Sequence, residues 1–267
     1  MPSDADGPAA RQASSLRMAG VPTTPMPDDE VQRALVITAH PDDVDFGAAG
    51  TIAAWTEAGI EVVYCICTDG DAGGFDLDFP RDQIAGVRRA EQLEAAKRVG
   101  VHDVRYLGYP DGRLEASFEL RRDISRVIRQ VQPQRVLVQS PERDYERIGR
   151  SHPDHRAAGE AALNCVYPDA RNPFVHTELR IDEGLDAWIT PETWVMGTPH
   201  AAHLPAHYVD VTDTFDRKVS ALRAHESQTG HMENLEDFLR NWLAINAERA
   251  GWQQGRLAEA FLVMATA

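Results

Sequence analysis

Short, continuously apolar runs alternate with helix-length stretches through the first two thirds of this chain, and that alternation is the strongest constraint on its fold. The first run, Arg33-Ala-Leu-Val-Ile-Thr-Ala39, reads as a strand buried on both faces. A polar loop, His40 to Phe46, leads into a helix from Gly47 to Gly59 that carries Ile52, Ala53 and Trp55. The unit repeats: strand Glu61–Thr68, Gly-rich loop Asp69–Gly74, helix Arg88–Val99 closed by Gly100, and short strand Val104–Leu107. Helix Leu120–Val131 stops before Pro133; strand Arg135–Gln139, loop Ser140–Ser151 and a helix from Pro153 to Val166 follow. Such alternation predicts an α/β fold, a Rossmann-like, mostly parallel sheet with helices on both faces. Ligands of such sheets bind at loops beyond the carboxyl ends of strands. That rule selects His40–Phe46, Asp69–Gly74, Tyr109–Leu114 and Ser140–His155.

The pattern becomes irregular from Tyr167 to His207, with many Pro, His and Trp residues. Beyond it, His207–Thr212 reads as a strand and Thr214–Glu226 as an amphipathic helix; Leu235–Ile245 and Gly255–Met264 read as helical. Residues 1–29, rich in Ala, Ser, Pro and Asp and without the apolar core of a signal peptide, read as a flexible leader. Residues 30–267 read as one domain, a size that needs no division. With 43 % apolar and 26 % charged residues the chain can bury a sizeable core.

A net charge of −15 opposes non-specific binding to nucleic acid or anionic lipid, while leaving room for an anionic substrate in a locally basic pocket. No run of about 18 apolar residues offers a membrane span. The three cysteines, Cys65, Cys67 and Cys165, form no disulfide framework, which suits a reducing cytoplasm; Cys65 and Cys67 share one face of a strand as inert core.

Two polar clusters carry the chemistry. His40-Pro-Asp-Asp43 follows directly on a buried strand, and zinc takes imidazole nitrogen and carboxylate oxygen together. His40 and Asp43, three apart, can converge on one ion. Asp42 is left over, and a spare carboxylate beside a metal is what a hydrolase needs as general base. The plainer role for such an Asp is a helix cap. Ser151-His-Pro-Asp-His155 brings a second cluster to the same sheet edge. One of its histidines would complete a three-ligand zinc site with an open position. The other could donate to a developing oxyanion and protonate a leaving amine, with Asp154 orienting it. Two His-Pro-Asp clusters at equivalent strand ends are hard to explain as two caps.

At these residues the sequence resembles the LmbE-like or PIG-L deacetylases, a family that includes the N-acetylglucosaminyl-phosphatidylinositol de-N-acetylases. The resemblance rests on Ala39-His-Pro-Asp-Asp43 with Gly47 and Gly50, and on His152-Pro-Asp-His155. It continues through Arg88-Arg-Ala-Glu91, Leu107-Gly-Tyr-Pro-Asp-Gly112, Ala221-Leu-Arg-Ala-His-Glu-Ser-Gln228 and Ala258-Glu-Ala-Phe261. It implies one zinc ion per chain on His40, Asp43 and His155, and Asp42 as the base that activates water. It implies His152 as acid and oxyanion stabiliser with Asp154 as its partner, Arg88 as a substrate contact, and Asp111 as a ligand of a sugar hydroxyl. His225 becomes an accessory candidate, because a histidine near this position approaches the site in some relatives. The remaining histidines, His102, His176, His200, His203, His207 and His231, belong to no constellation and read as surface or loop residues. Val44 stands where many members carry an acid, with Asp45 next, which bears on substrate choice rather than on chemistry.

The resemblance thus implies a hydrolase that removes an N-acetyl group from an amino sugar or its conjugate, in a homo-oligomer. One alternative is an amidase that cuts a larger acyl group from a thiol-sugar conjugate. Another, of a different class, is a non-catalytic metal- or nucleotide-binding protein. Phe46-Gly-Ala-Ala-Gly50 lacks the dinucleotide fingerprint, and two acids precede it where phosphate would sit.

Overall fold

The computed structural model describes residues 24–145, 148–196 and 206–267. Seven strands form one sheet: β1 (Arg33–Thr38), β2 (Glu61–Thr68), β3 (Asp103–Tyr109), β4 (Arg135–Val138), β5 (Glu192–Met196), β6 (His207–Asp210) and β7 (Ala258–Ala265). Their order is β3-β2-β1-β4-β5-β7-β6. The first five are parallel, and β7 runs antiparallel between β5 and β6. The chain builds outward from β1 to β3, then returns to place β4 on β1's other side. The strand order therefore reverses between β1 and β4, and the crevice at their carboxyl ends is where open α/β sheets take ligands.

Successive side chains of β1 alternate between two cores, as a doubly covered strand requires. Ala34 and Val36 pack on one face with helix α1 (Asp43–Glu57) and helix α2 (Arg81–Arg98). Leu35 and Ile37 pack on the other face with α3 (Phe118–Val131) and α4 (Pro153–Asn164). Beyond a short α5 (Thr177–Ile181), the helices α6 (Phe215–Arg223), α7 (Glu226–Thr229) and α8 (Leu235–Arg249) complete the order. Val211, Phe215, Leu222, Leu239, Leu243 and Leu257 make a third, smaller core there. No described helix is long and apolar enough to cross a membrane.

Three expectations are corrected. The segment read as a helix over Gly255–Met264 is strand β7: Ala, Leu, Met and Glu favour a helix locally, but pairing with both β5 and β6 overrides that preference. The irregular stretch after Tyr167 contains strand β5. His176 is buried, not a surface residue, with its ring on Phe118 at 4.4 Å between centroids; His200 and His203 lie outside the described residues. Of the leader, the described end is tied to the sheet: Met26 donates its N–H to Glu192 (2.6 Å), and Arg135 binds Asp28 (2.7 Å). Cys65, Cys67 and Cys165 are free and buried.

Candidate active site

Three of the four loops selected by the sheet rule deliver side chains to one place, and the fourth, Asp69–Gly74, contributes the backbone of Gly70 and Ala72. His40 follows β1, and Asp43 opens α1, which begins four residues earlier than its sequence suggests. Asp111 follows β3; His152, Asp154 and His155 stand at the start of α4, beyond β4. The approach of α4 depends on Gly159, where a Cβ would lie 2.2 Å from the backbone oxygen of Gln139.

Three donor groups converge. His155 Nε2 lies 2.9 Å from Asp43 Oδ1 and 3.2 Å from His40 Nδ1, and His40 Nδ1 lies 3.4 Å from Asp43 Oδ2. Ligands of one tetrahedral zinc, at bond lengths of about 2.0–2.1 Å, stand roughly 3.3 Å apart, the scale seen here. Asp43 also accepts the backbone N–H of His40 at 2.7 Å, which fixes its carboxylate toward the imidazoles. His152 offers a ring nitrogen within 4.8 Å of those of His40 and His155.

The far side of the His40 ring is held by carboxylates. Its Nε2 lies 2.9 Å from Asp111 Oδ1 and 3.2 Å from Asp154 Oδ2. A proton on Nε2 leaves Nδ1 as a bare lone pair facing His155 and Asp43, the orientation that a metal-ligating imidazole takes from a carboxylate behind it. This corrects the expectation that Asp154 partners His152. The Asp154 carboxylate binds His40 and the backbone N–H groups of Gly112 (2.7 Å) and Leu114 (3.2 Å). Among the described residues, His152 receives the backbone N–H of Asp154, on Nδ1 at 3.2 Å. The residue is thus a helix cap and a member of the site at once, because its Nε2 remains free to face a reactant.

Asp42 occupies the cap position of α1, yet its side chain makes no capping bond. Arg88 donates to its Oδ2 at 3.1 Å, to Pro41 O at 2.6 Å and to Gly70 O at 3.1 Å. The guanidinium is buried, and these contacts make it a brace for the loop that carries Asp42. Asp111, besides binding His40, accepts the N–H of Ala72 at 3.3 Å. His225 is fully buried and stands on Asp45, at 2.9 Å. Sequence reasoning did not find Gln92, which accepts the Asp42 N–H at 2.7 Å. Its spacing of four from Arg88 on one helix was the available signal, since such residues share a face.

The electrostatics favour a cation. Burial lowers the His40 pKa, but Asp43, Asp111 and Asp154 outweigh it and hold the ring at about 12. Burial likewise opposes charge on His155, and Asp43 overcomes it and raises that ring too. Asp43 is buried, which works against its charge, but His155 and His40 hold it well below the usual carboxylate range. In the absence of a metal, protons on imidazole balance this excess of buried carboxylate. A divalent ion would replace them and release the ligands in the neutral form that binding requires. The donor set, its spacing and its negative charge all fit zinc.

The sequence matches the family described as PIG-L, GlcNAc-PI de-N-acetylase, over residues 35–166. It is 35 % identical over 202 residues to the diacetylchitobiose deacetylase of Thermococcus kodakarensis, covering 76 % of this chain and 72 % of that protein. Identity is 33 % over 215 residues to a probable N-acetyl-α-D-glucosaminyl L-malate deacetylase 2 of Bacillus cereus, covering 77 % and 87 % of the two chains. The solved N,N′-diacetylchitobiose deacetylase of Pyrococcus horikoshii, in complex with its inhibitor MPG, superposes with a TM-score of 0.80 at 33 % identity, covering 90 % of this chain and 86 % of that one. With the two His-Pro-Asp clusters on one sheet edge and these likenesses along most of its length, the chain belongs to the PIG-L (LmbE-like) family.

Proposed function

We propose that this protein is a zinc-dependent amide hydrolase that removes the N-acetyl group of an amino sugar or its conjugate. The observation that carries the reading is the donor triangle of His40, Asp43 and His155 with a separate carboxylate, Asp42, on the same loop. The relatives named above are deacetylases of diacetylchitobiose and of an N-acetylglucosaminyl malate, and both names describe N-acetylated glucosamine derivatives.

His40, Asp43 and His155 would hold the ion, which when bound supplies a Lewis acid that polarises the acyl carbonyl and acidifies water. Asp42 takes a proton from the attacking water. Burial, reinforced by Asp43, raises its carboxyl to about 6 against the charges of Arg88, His225 and His40, a value suited to a base working near neutrality. Arg88 keeps the carboxylate oriented. His152 accepts the Asp154 N–H on Nδ1, so its neutral ring carries the proton on Nε2 and can donate to the oxyanion. Burial and then the charges of His40 and His155 lower its pKa, which keeps the ring neutral with its Nε2 proton for the oxyanion, and the proton that Asp42 took from the water passes to the leaving nitrogen. The products are acetate and the free amine.

Asp42→Asn preserves shape and removes the base. It is expected to lower kcat by about 10²–10⁴ with zinc retained. Near-normal kcat with zinc in place would remove Asp42 from the mechanism.

One feature favours a second reading, an amidase acting on a bulkier acyl group. A cleft of about 380 Å³ lies beside Arg88, lined by Phe75, Phe79, Ile84 and Val87 with Ser227 and His231. Relative turnover of N-acetyl and long-chain N-acyl glucosamine separates the two.

A further inference from the structure

The backbone of Asp42 is in an unusual state. Its φ is +90°, in the left-handed region that residues other than glycine rarely adopt. Such a conformation persists only where its surroundings over-determine it. Arg88 supplies part of that constraint through Pro41 O and Asp42 Oδ2. The Asp42 carbonyl accepts the N–H groups of Asp45 (2.9 Å) and Phe46 (3.0 Å), and its own N–H is held by Gln92, one helical turn further along α2 and fully buried, whose Oε1 accepts it at 2.7 Å.

A side-chain amide has two ends of nearly equal size, and the wrong end would turn N–H groups toward the N–H of Asp42. Asp45 forbids that flip. Its Oδ2 accepts Gln92 Nε2 at 2.8 Å, so the oxygen of Gln92 must face Asp42. Asp45 is itself fully buried, and the same Oδ2 lies 2.9 Å from His225 Nε2, also fully buried. Lys218 Nζ donates to the backbone oxygens of Asp45 (2.9 Å) and Phe46 (2.7 Å) and to Glu259 (2.7 Å), which fixes the turn that presents Asp45. Buried charged pairs are often no more stabilising than apolar groups of the same volume, and here each member of the series fixes the orientation of the next.

We propose that Gln92 is a positioning residue for Asp42, and that Asp45 and His225 serve the reaction through it by locking the amide in one orientation. The inference rests on the reading of Asp42 as general base. It assigns His225 to the loop beneath the site instead of to the substrate.

The test is a double comparison on zinc-loaded full-length protein. Gln92→Met keeps length and volume but can neither accept nor donate as an amide does. It should lower kcat on the order of 10–100-fold with KM and zinc content unchanged. In an Asp42→Asn background the same substitution should change kcat less than about twofold, because no base remains to be positioned. His225→Asn should follow the same pattern with a smaller fall. Independently of turnover, hydrogen exchange at the Asp42 amide should accelerate about tenfold or more in Gln92→Met while the amides of β1 keep their protection. Gln92→Leu replaces Gln92→Met if that variant does not fold. A fall of equal size in both backgrounds, unchanged kcat, or unchanged exchange at Asp42 would overturn the proposal. Near-normal kcat in Asp42→Asn alone would instead overturn the general-base reading, so the two failures are distinguishable.

Discussion

Asp42 and Asp43 are adjacent in the chain and opposite in task because the backbone turns between them. Asp43 faces two imidazoles, which overcome burial and hold its charge firmly. Asp42 faces one guanidinium, and burial lifts it to about 6. A base must be unprotonated, so activity should fall as pH drops through the pKa of Asp42. A bound cation favours the carboxylate, which places this acid limb at or below about 6 in the loaded enzyme. Arg88 is the strongest of the groups that lower Asp42, so Arg88→Met should move the acid limb of kcat/KM to higher pH. A limb that stays fixed or moves down in that variant would contradict the assignment. The two His-Pro-Asp clusters were legible from sequence because each is local. The switch of Asp154 from His152 to His40 was not, because it depends on a contact 114 residues apart. The buried series Gln92–Asp45–His225 was hidden for the same reason, since it joins α2, α1 and the turn before α7.

At the scale of elements, strand ends were read closely wherever the apolar run was bounded by polar loops, as in β1, β2 and β4. Helix starts were read late: α1 begins at Asp43 and α2 at Arg81, since neither opens with a side-chain cap that marks it. Strand β7 was misread because its residues favour a helix until two neighbours pair with it. That strand matters to the site, as Glu259 on it accepts the N–H groups of Gly50 (3.1 Å) and Thr51 (2.8 Å) in α1. Helix α4 is placed by Gly159. Gly159→Ala should force α4 from the Gln139 backbone, destabilise the fold by about 1–3 kcal/mol and carry His152 and His155 with it. Thermal unfolding should register this as a drop of about 2–4 °C per kcal/mol. A variant of unchanged melting temperature would show that α4 is held elsewhere.

The whole molecule confines its chemistry to one edge. Strand order reverses between β1 and β4, and the carboxyl ends of those strands bring His40, Asp42 and Asp43 against His152, Asp154 and His155. Within a chain of net charge −15, this edge concentrates carboxylate around imidazole, an environment that suits a cation. The most direct measurement is acetate release from N,N′-diacetylchitobiose and N-acetylglucosaminyl malate by purified protein as isolated, after chelation, and after return of one equivalent of zinc. The account predicts about one zinc per chain as isolated, loss of turnover on chelation, and recovery with zinc in the native protein but not in His155→Ala. Acetate release at an undiminished rate from fully metal-free protein would contradict it.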